Sequence, residues 1–240
     1  QMCIRDSLSP ERASQRATDL GFSRYSDDWR AVVKDPAVEL VSVCTPNDTH
    51  AEISIAALAA GKNVWCEKPM STSLADSQAM TDAAANSSGQ TIIGYNYTKN
   101  PAVTHARRLI ESGVIGRVAA FFCRYDVDNE ADGDRPWSWR MSRDQSGTGA
   151  NGDVLSHVIS VAHYLTGSTI KRVVGDIAIV HGEREDPQNK GSRKSVDNDD
   201  MVAALVQFEN GVHGHIGASR VTWGYKCGLR WEVHGTKGTI

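Results

Sequence analysis

The hydrophobic pattern of the first part of the chain alternates between short apolar runs and alanine-rich segments. Val38–Cys44 is rich in β-branched residues and bounded by prolines, and it predicts a strand buried on both faces. Ala51–Ala60 predicts a helix that ends at Gly61, and Asn63–Cys66 predicts the next strand. A strand, a helix and a strand within about 30 residues form a βαβ unit with parallel strands.

The same pattern predicts elements along the rest of the chain. Further helices are predicted at Pro10–Leu20, from a cap at Ser71 or Ser73 to Ala85, at Ala102–Ser112 and at Gly152–Leu165. Further strands are predicted at Phe22–Tyr25, Thr91–Tyr97, Val118–Val127, Ile170–Val180, Met201–Phe208, Val212–Ser219 and Gly228–His234, with a hairpin turn at Glu209–Gly211. Residues 129–152 and 186–200 are predicted to be long polar loops.

These elements predict an α/β protein with two domains. Residues 1–98 are expected to form a partial doubly wound parallel sheet, and residues 99–240 an α+β domain with a mostly antiparallel open sheet. The 240 residues are 40% hydrophobic and 23% charged, with a net charge of −3, which gives no sign of a nucleic-acid or membrane surface. The five cysteines are scattered and odd in number, which favours a reducing, cytoplasmic compartment.

Two polar clusters follow the first two strands of the predicted βαβ unit. Thr45-Pro46-Asn47 and His50 come after one strand, and Glu67-Lys68-Pro69 come after the next. Because ligands of open α/β sheets bind outside the carboxyl ends of the strands, both clusters are expected to face one crevice. Pro69 biases Lys68 toward an extended backbone, which gives the lysine a defined direction. The alternative is an ordinary solvated surface lysine.

A second candidate site lies on the helix predicted at Gly152–Leu165. Asp153 and His157 are four residues apart, so in an α-helix they share one face. A carboxylate beside an imidazole suits proton transfer, because imidazole titrates near neutral pH. The alternative is an acid placed favourably at the helix N-terminus and a histidine at the edge of the core. No further ligands converge on this pair, so we predict no metal.

These motifs resemble those of a known family, the Gfo/Idh/MocA oxidoreductases. The resemblance rests on Thr-Pro-Asn-x-x-His ending at His50, on Glu-Lys-Pro around Lys68, and on Gly-Asp-x-x-x-His ending at His157. Trp139-Arg140 resembles a pair that contacts cofactor or substrate, and Gly94–Tyr97 resembles the segment between the domains. Val196–Asp200 and Ala218–Arg220 are most similar to the sugar dehydrogenase branch of the family.

The resemblance implies an oxidoreductase that moves hydride between NAD or NADP and a secondary alcohol carbon of a sugar, anhydrosugar or cyclitol. The catalytic residues it implies are Lys68, Asp153 and His157, with His157 as general base, Lys68 polarising the same oxygen and Asp153 orienting the ring. The cofactor-binding residues it implies are Thr45, Pro46, Asn47, His50, Glu67, Lys68, Asn96, Trp139 and Arg140. A full-length protein is expected to be a homo-oligomer.

The sequence departs from this family at its beginning. It contains no Gly-x-Gly-x-x-Gly loop, and Ser7 stands where an acid is expected, with Asp6 one position away. We expect that the chain is truncated at both ends, that Val38–Cys44 forms a bare sheet edge unless Met2–Arg5 pairs nearby, and that cofactor affinity is poor.

Two other functions stay open at this stage. One is a glycosidase of the same fold that oxidises and re-reduces its sugar transiently, and the other is a non-catalytic sensor that binds a dinucleotide. The intact set of Lys68, Asp153 and His157 favours a dehydrogenase over both. Lys68 counts against the glycosidase in particular, because many such enzymes lack this lysine.

Overall fold

The structure is a computed structural model that describes residues 9–240. The chain forms two compact units, Gln1–Gly94 and Tyr95–Ile240; from the sequence we expected a boundary between residues 98 and 99. The expectations about Met2–Arg5, Asp6 and Ser7 lie outside the described residues. In the described part, no helix is both long and apolar enough to cross a membrane.

The first unit contains a parallel sheet of three strands in the order β1-β2-β3. These strands are β1 (Leu40–Val43), β2 (Asn63–Cys66) and β3 (Thr91–Ile93). The helices are α1 (Pro10–Asp19), α2 (Trp29–Lys34), α3 (His50–Ala59) and α4 (Leu74–Ala85). The β1–α3–β2 segment is the predicted βαβ unit, and its strands are parallel as expected.

The core of the first unit lies between α3 and one face of the sheet. Val41 and Val43 of β1 and Val64 and Cys66 of β2 point to this core. The opposite face is open, since Leu40 is 53% exposed and Trp65 is 44% exposed. The prediction that Val38–Cys44 is buried on both faces is therefore wrong for the described residues, in which only one face carries a helical layer.

Three predictions about strands of the first unit can be compared with the structure. The free side of β1 has no paired strand within residues 9–240, as expected. Phe22–Tyr25 is not a strand, because it lies beside no other strand and Arg24 instead forms an ion pair with Asp35 at 2.8 Å. The strand predicted at Thr91–Tyr97 ends at Ile93, and the chain then forms a 3-10 helix at Asn96–Lys99.

The second unit contains a five-stranded sheet in the order β10-β4-β9-β8-β5. The strands are β4 (Val118–Asp126), β5 (Ile170–Ala178), β8 (Met201–Phe208), β9 (His213–Ser219) and β10 (Gly228–Gly235). Only β4 and β9 pair in parallel, which confirms the predicted mostly antiparallel sheet. The hairpin at Asn210-Gly211 is also confirmed, with Gly211 at a φ of 83° that favours glycine.

Helices cover one face of this sheet, and smaller elements lie between them. The helices are α5 (Pro101–Glu111), the short α6 (Arg143–Ser146) and α7 (Ser156–Thr166), which directly follows a π-helical turn at Asn151–Leu155. A two-stranded antiparallel ladder joins β6 (Glu183–Glu185) to β7 (Arg193–Ser195), and β7 lies inside the region predicted to be a charged loop. The prediction of a continuous α-helix over Gly152–Leu165 is wrong at its first turn, which is π-helical.

The core of the second unit lies between α5, α7 and the inner face of the sheet. Phe121 of β4 and Phe208 of β8 meet edge to face with their centroids 6.2 Å apart. Val158, Val161 and Leu165 of α7 pack into the same cluster. On β8, alternate residues point inward and outward, as a strand in a sheet with one covered face requires.

We predict that Phe121→Ala destabilises the second unit by about 3–5 kcal/mol, because it removes a fully buried ring and leaves a cavity. Leu205→Ala is the matched control, because Leu205 lies on the outer face of β8 and is 67% exposed. This control is expected to change the free energy of unfolding by about 0.5 kcal/mol or less. Denaturant unfolding followed by circular dichroism measures both, and equal losses would contradict the assigned core.

Candidate functional site

The carboxyl ends of β1, β2 and β3 form one edge of the parallel sheet, and the polar residues predicted there lie along it. The backbone N–H of Glu67 donates to the Val43 carbonyl at 2.9 Å, and that of Gly94 donates to the Cys66 carbonyl at 2.8 Å. The three strands therefore end at neighbouring positions. Four polar residues that follow β1 and β2 have half-buried side chains: Thr45, Asn47, Glu67 and Lys68.

His50 links the loop after β1 to the loop after β2. Its Nε2 lies 2.9 Å from the Thr45 carbonyl oxygen, and its Nδ1 lies 2.8 Å from the Pro69 carbonyl oxygen. Whichever ring nitrogen carries the hydrogen, it faces a backbone acceptor. The ring is fully buried at the start of α3. His50 therefore connects the loop after β1 with the loop after β2.

Glu67 and Lys68 continue directly from β2. The Lys68 backbone N–H lies 3.3 Å from the Glu67 carboxylate. That carboxylate also lies over Gly94 at the end of β3, where a Cβ would approach its oxygens to about 3.0 Å. Gly94 therefore leaves room for the Glu67 side chain. The Lys68–Pro69 peptide bond is cis.

The second cluster lies in the other unit, on the segment that runs from the π-helical turn into α7. Asp153 belongs to the π-helical turn and is half-buried, and His157 belongs to the first turn of α7 and is buried. The Ser156 N–H bonds to the Asn151 carbonyl five residues earlier, which is the π-type step. Because Lys68 belongs to the first unit, its expected convergence with Asp153 and His157 stays a prediction.

Three tyrosine rings surround His157 within the second unit, and the sequence analysis did not find this arrangement. The rings of Tyr95, Tyr97 and Tyr125 meet the imidazole edge to face at centroid distances of 5.9, 4.9 and 6.0 Å. Tyr95 and Tyr97 are at the beginning of the second unit, and Tyr125 is near the end of β4. A tyrosine at an inward position of a strand is the only sequence signal that pointed to Tyr125.

The hydroxyl groups of two of these tyrosines form a small polar cluster with a thiol. The hydroxyls of Tyr97 and Tyr125 are 2.6 Å apart, and the Cys227 sulfur lies 3.1 Å and 3.3 Å from them. Burial raises the pKa of both tyrosines. Both phenols therefore stay neutral through the physiological range, and their rings surround His157 without adding a charge.

The remaining predicted residues lie on shorter helical pieces of the second unit. Trp139 and Arg140 lie in a 3-10 helix at Trp139–Met141, with the Arg140 guanidinium 4.4 Å from the centroid of the Trp139 ring. Asn96 is exposed at the start of the 3-10 helix that follows β3. The nearby Trp137 contacts β7, because its Nε1 donates to the Ser195 carbonyl at 2.9 Å.

Other reactive side chains in the described residues do not form a second centre. No group of three or more His, Cys, Asp or Glu side chains within residues 9–240 is placed to hold a metal ion. Burial raises the pKa of the Cys66 thiol to about 11 and that of the Cys123 thiol to about 12, so both stay protonated. These two cysteines are core residues.

Comparison with known protein families divides the chain close to the boundary between the two units of the structure. Residues 3–95 match the family model described as "Oxidoreductase family, NAD-binding Rossmann fold". Residues 103–240 match the model described as "GFO/IDH/MocA C-terminal domain". The parallel sheet thus corresponds to the NAD-binding part of the family, and the five-stranded sheet corresponds to its C-terminal part.

Individual relatives are similar along nearly all of the chain. Levoglucosan dehydrogenase of Pseudarthrobacter phenanthrenivorans is 36% identical over 97% of this chain and 62% of that protein. scyllo-Inositol 2-dehydrogenase (NAD(+)) of Bacillus subtilis is 30% identical over 100% of this chain and 65% of that protein. The chain therefore spans less than two thirds of the length of these relatives.

A solved structure shows the same fold. Levoglucosan dehydrogenase in complex with NADH and L-sorbose superposes with a TM-score of 0.96 at 37% sequence identity, over 99% of this chain and 63% of that one. The fold predicted from the sequence, a partial Rossmann sheet followed by a mostly antiparallel sheet, is confirmed. Since both halves of the chain match the two successive parts of one family, the chain belongs to the Gfo/Idh/MocA oxidoreductases.

Proposed function

We propose that the full-length protein is an NAD-dependent dehydrogenase that oxidises a secondary alcohol of a sugar, anhydrosugar or cyclitol. The observation that carries the proposal is the setting of His157, a buried imidazole enclosed by three tyrosine rings in the same helical segment as Asp153. A titratable group held away from water among neutral aromatic rings suits proton exchange with a neutral polyol.

The edge formed by the strand ends fits a nicotinamide nucleotide. Hydroxyl, amide, carboxylate and ammonium groups lie together where three parallel strands end, which is the edge at which this fold binds dinucleotides. The residues that would hold the cofactor are Thr45, Pro46, Asn47, His50, Glu67 and Lys68, with Asn96, Trp139 and Arg140 from the second unit. When bound, the cofactor supplies the carbon that accepts the hydride.

Each proposed catalytic residue has a separate task. His157 takes the proton from the substrate hydroxyl as oxidation proceeds. Lys68 donates to the same oxygen and stabilises the negative charge that develops on it. Asp153 accepts a hydrogen bond from a neighbouring hydroxyl and so orients the ring of the substrate.

Levoglucosan is the first substrate to test, because a levoglucosan dehydrogenase is 36% identical to this chain over 97% of its length. A panel with levoglucosan, L-sorbose, myo-inositol and scyllo-inositol, with NAD and NADP in turn, separates the candidate functions. A dehydrogenase forms one reduced cofactor per sugar oxidised. A glycosidase would release sugar without net reduction of the cofactor, and a sensor would bind the cofactor without turnover.

Replacement of Lys68 tests the proposed charge stabilisation. In the full-length protein, Lys68→Ala is expected to lower kcat by about a hundredfold or more, the scale of a lost catalytic group, with a far smaller change in NADH affinity. Lys34→Ala on α2 is the control, because Lys34 is exposed and lies at the end of that helix. Steady-state kinetics and NADH titration measure both effects, and near-normal turnover of Lys68→Ala would remove Lys68 from the mechanism.

The role of His157 as general base predicts a pH dependence. The base has to be neutral to accept a proton, so the rate of oxidation is expected to rise with pH through one ionisation and then level off. His157→Asn is expected to abolish this step. His163→Asn, on the same helix, is the control and is expected to retain it. An unchanged profile in His157→Asn would contradict the assignment.

The loop connection made by His50 predicts an effect on cofactor binding. His50→Ala removes the ring that lies between the two carbonyls together with the one hydrogen bond, of about 1 kcal/mol, that its N–H donates, so the Kd for NADH is expected to rise about fivefold as the two loops separate. Glu52→Ala is the control on the same helix, because Glu52 is exposed and pairs with exposed Arg30. Calorimetric titration measures both, and equal Kd values for the two variants would show that the connection has no part in binding.

A further inference from the structure

Three consecutive polar residues, Asn198, Asp199 and Asp200, are buried immediately before β8. They are 1%, 3% and 1% exposed. Burial of polar and charged side chains is costly unless each finds hydrogen-bond partners. The partners of this stretch lie far away in the sequence, and several of them belong to the segments that carry the proposed site residues.

Asp199 binds three successive backbone N–H groups with its own oxygens. Gly149 N–H donates to Asp199 Oδ1 at 2.9 Å, and Asn151 N–H donates to Oδ2 at 2.7 Å. Ala150 N–H donates to the Asp199 carbonyl oxygen at 2.8 Å. All three oxygens of one residue are therefore directed at the beginning of the segment that carries Asp153 and His157.

Asp199 therefore acts as a helix cap, although it belongs to a distant part of the chain. The first N–H groups of a helical segment have no partner inside it, and a carboxylate near them is also favoured by the helix dipole. The local residue at this position, Ala150, makes no side-chain cap. A Cβ at Gly149 would overlap the Asp199 carbonyl, so glycine is needed for the approach.

The neighbours of Asp199 hold it in place from both sides. Asp200 forms a buried ion pair with Arg220 at 2.8 Å and also accepts the N–H of Val180 at 2.7 Å. Asn198 donates to the Arg140 carbonyl at 2.7 Å and accepts from Arg220 at 2.8 Å. The stretch is therefore a rigid point of attachment within the second unit.

We propose that Asp199 is a positioning residue, which sets the start of the π-helical turn and thereby the direction of Asp153 and His157. It contacts neither the substrate nor the cofactor. Its kinetic effect rests on the proposed dehydrogenase function, because it acts through the two residues of that site. Asn in its place keeps one acceptor and presents an amide N–H to a backbone N–H, so one of the three contacts is lost.

The experiment compares Asp199→Asn with wild type in the full-length enzyme. We expect kcat to fall on the order of tenfold to a hundredfold, the scale of a small misplacement of catalytic groups, while the KM for NAD stays within about twofold. Asp126→Asn is the matched control, because Asp126 is an equally buried carboxylate of the same unit that pairs with Arg124 and Arg230. This control is expected to keep kcat and to lose only thermal stability.

A readout that does not depend on activity is amide hydrogen exchange at Gly149, Ala150 and Asn151. We expect slow exchange in wild type and faster exchange in Asp199→Asn, confined to this segment. The wild-type rate on the sugar panel tests the proposed function by itself, whereas the exchange rates test the cap even without turnover.

Three results would overturn the proposal. A folded Asp199→Asn enzyme with normal kcat would do so, and so would fast exchange of the three amides in wild type. A second variant, Asp199→Ser, is also measured, because the serine hydroxyl keeps one side-chain oxygen and the smaller side chain leaves space for a water molecule. If neither variant folds, the proposal also fails, since Asp199 would then hold the whole unit and not one segment.

Discussion

The buried ion pair between Arg220 and Asp200 is the interaction on which the polar half of the second unit depends. Two charges removed from water are costly, and their attraction offsets that cost only if the remaining donors and acceptors are bonded as well. Here the guanidinium also binds Asn198 and the Arg140 carbonyl, and the carboxylate also binds the N–H groups of Val180 and His181. The pair therefore joins β9, the start of β8 and the loop after β5 at one fixed point.

The two units hold the proposed site residues in place by different kinds of interaction. In the first unit, regular secondary structure is sufficient: parallel strands end together, and one buried histidine connects the loops that follow them. In the second unit, Trp139, Arg140 and Asp153 lie in short 3-10 and π-helical segments. The ends of such segments leave N–H and carbonyl groups without helical or sheet partners. Buried side chains supply those partners. The buried polar network thus holds the segment that places the histidine among the tyrosines.

The strands were predicted best, and the network was not predicted at all. Met201–Phe208 and Asn63–Cys66 end where their hydrophobic patterns end, because one covered face imposes a period of two. Phe22–Tyr25 has a strand-like composition, but a strand needs a neighbour, and composition does not reveal one. Asn198–Asp200 resembles a solvated charged loop in the sequence. Its burial depends on Gly149 and Arg220, which are far away along the chain.

The π-helical turn at Asn151–Leu155 has a consequence for which changes this segment tolerates. Its hydrogen bond from Ser156 to Asn151 encloses one residue more than an α-helical turn does. Loss of a single residue here would let the turn close as an ordinary α-helix, and every side chain before the deletion would rotate around the helix axis relative to α7. Asp153 would then point elsewhere while His157 kept its place. The number of residues in this turn, as much as their identity, therefore sets where Asp153 points relative to His157.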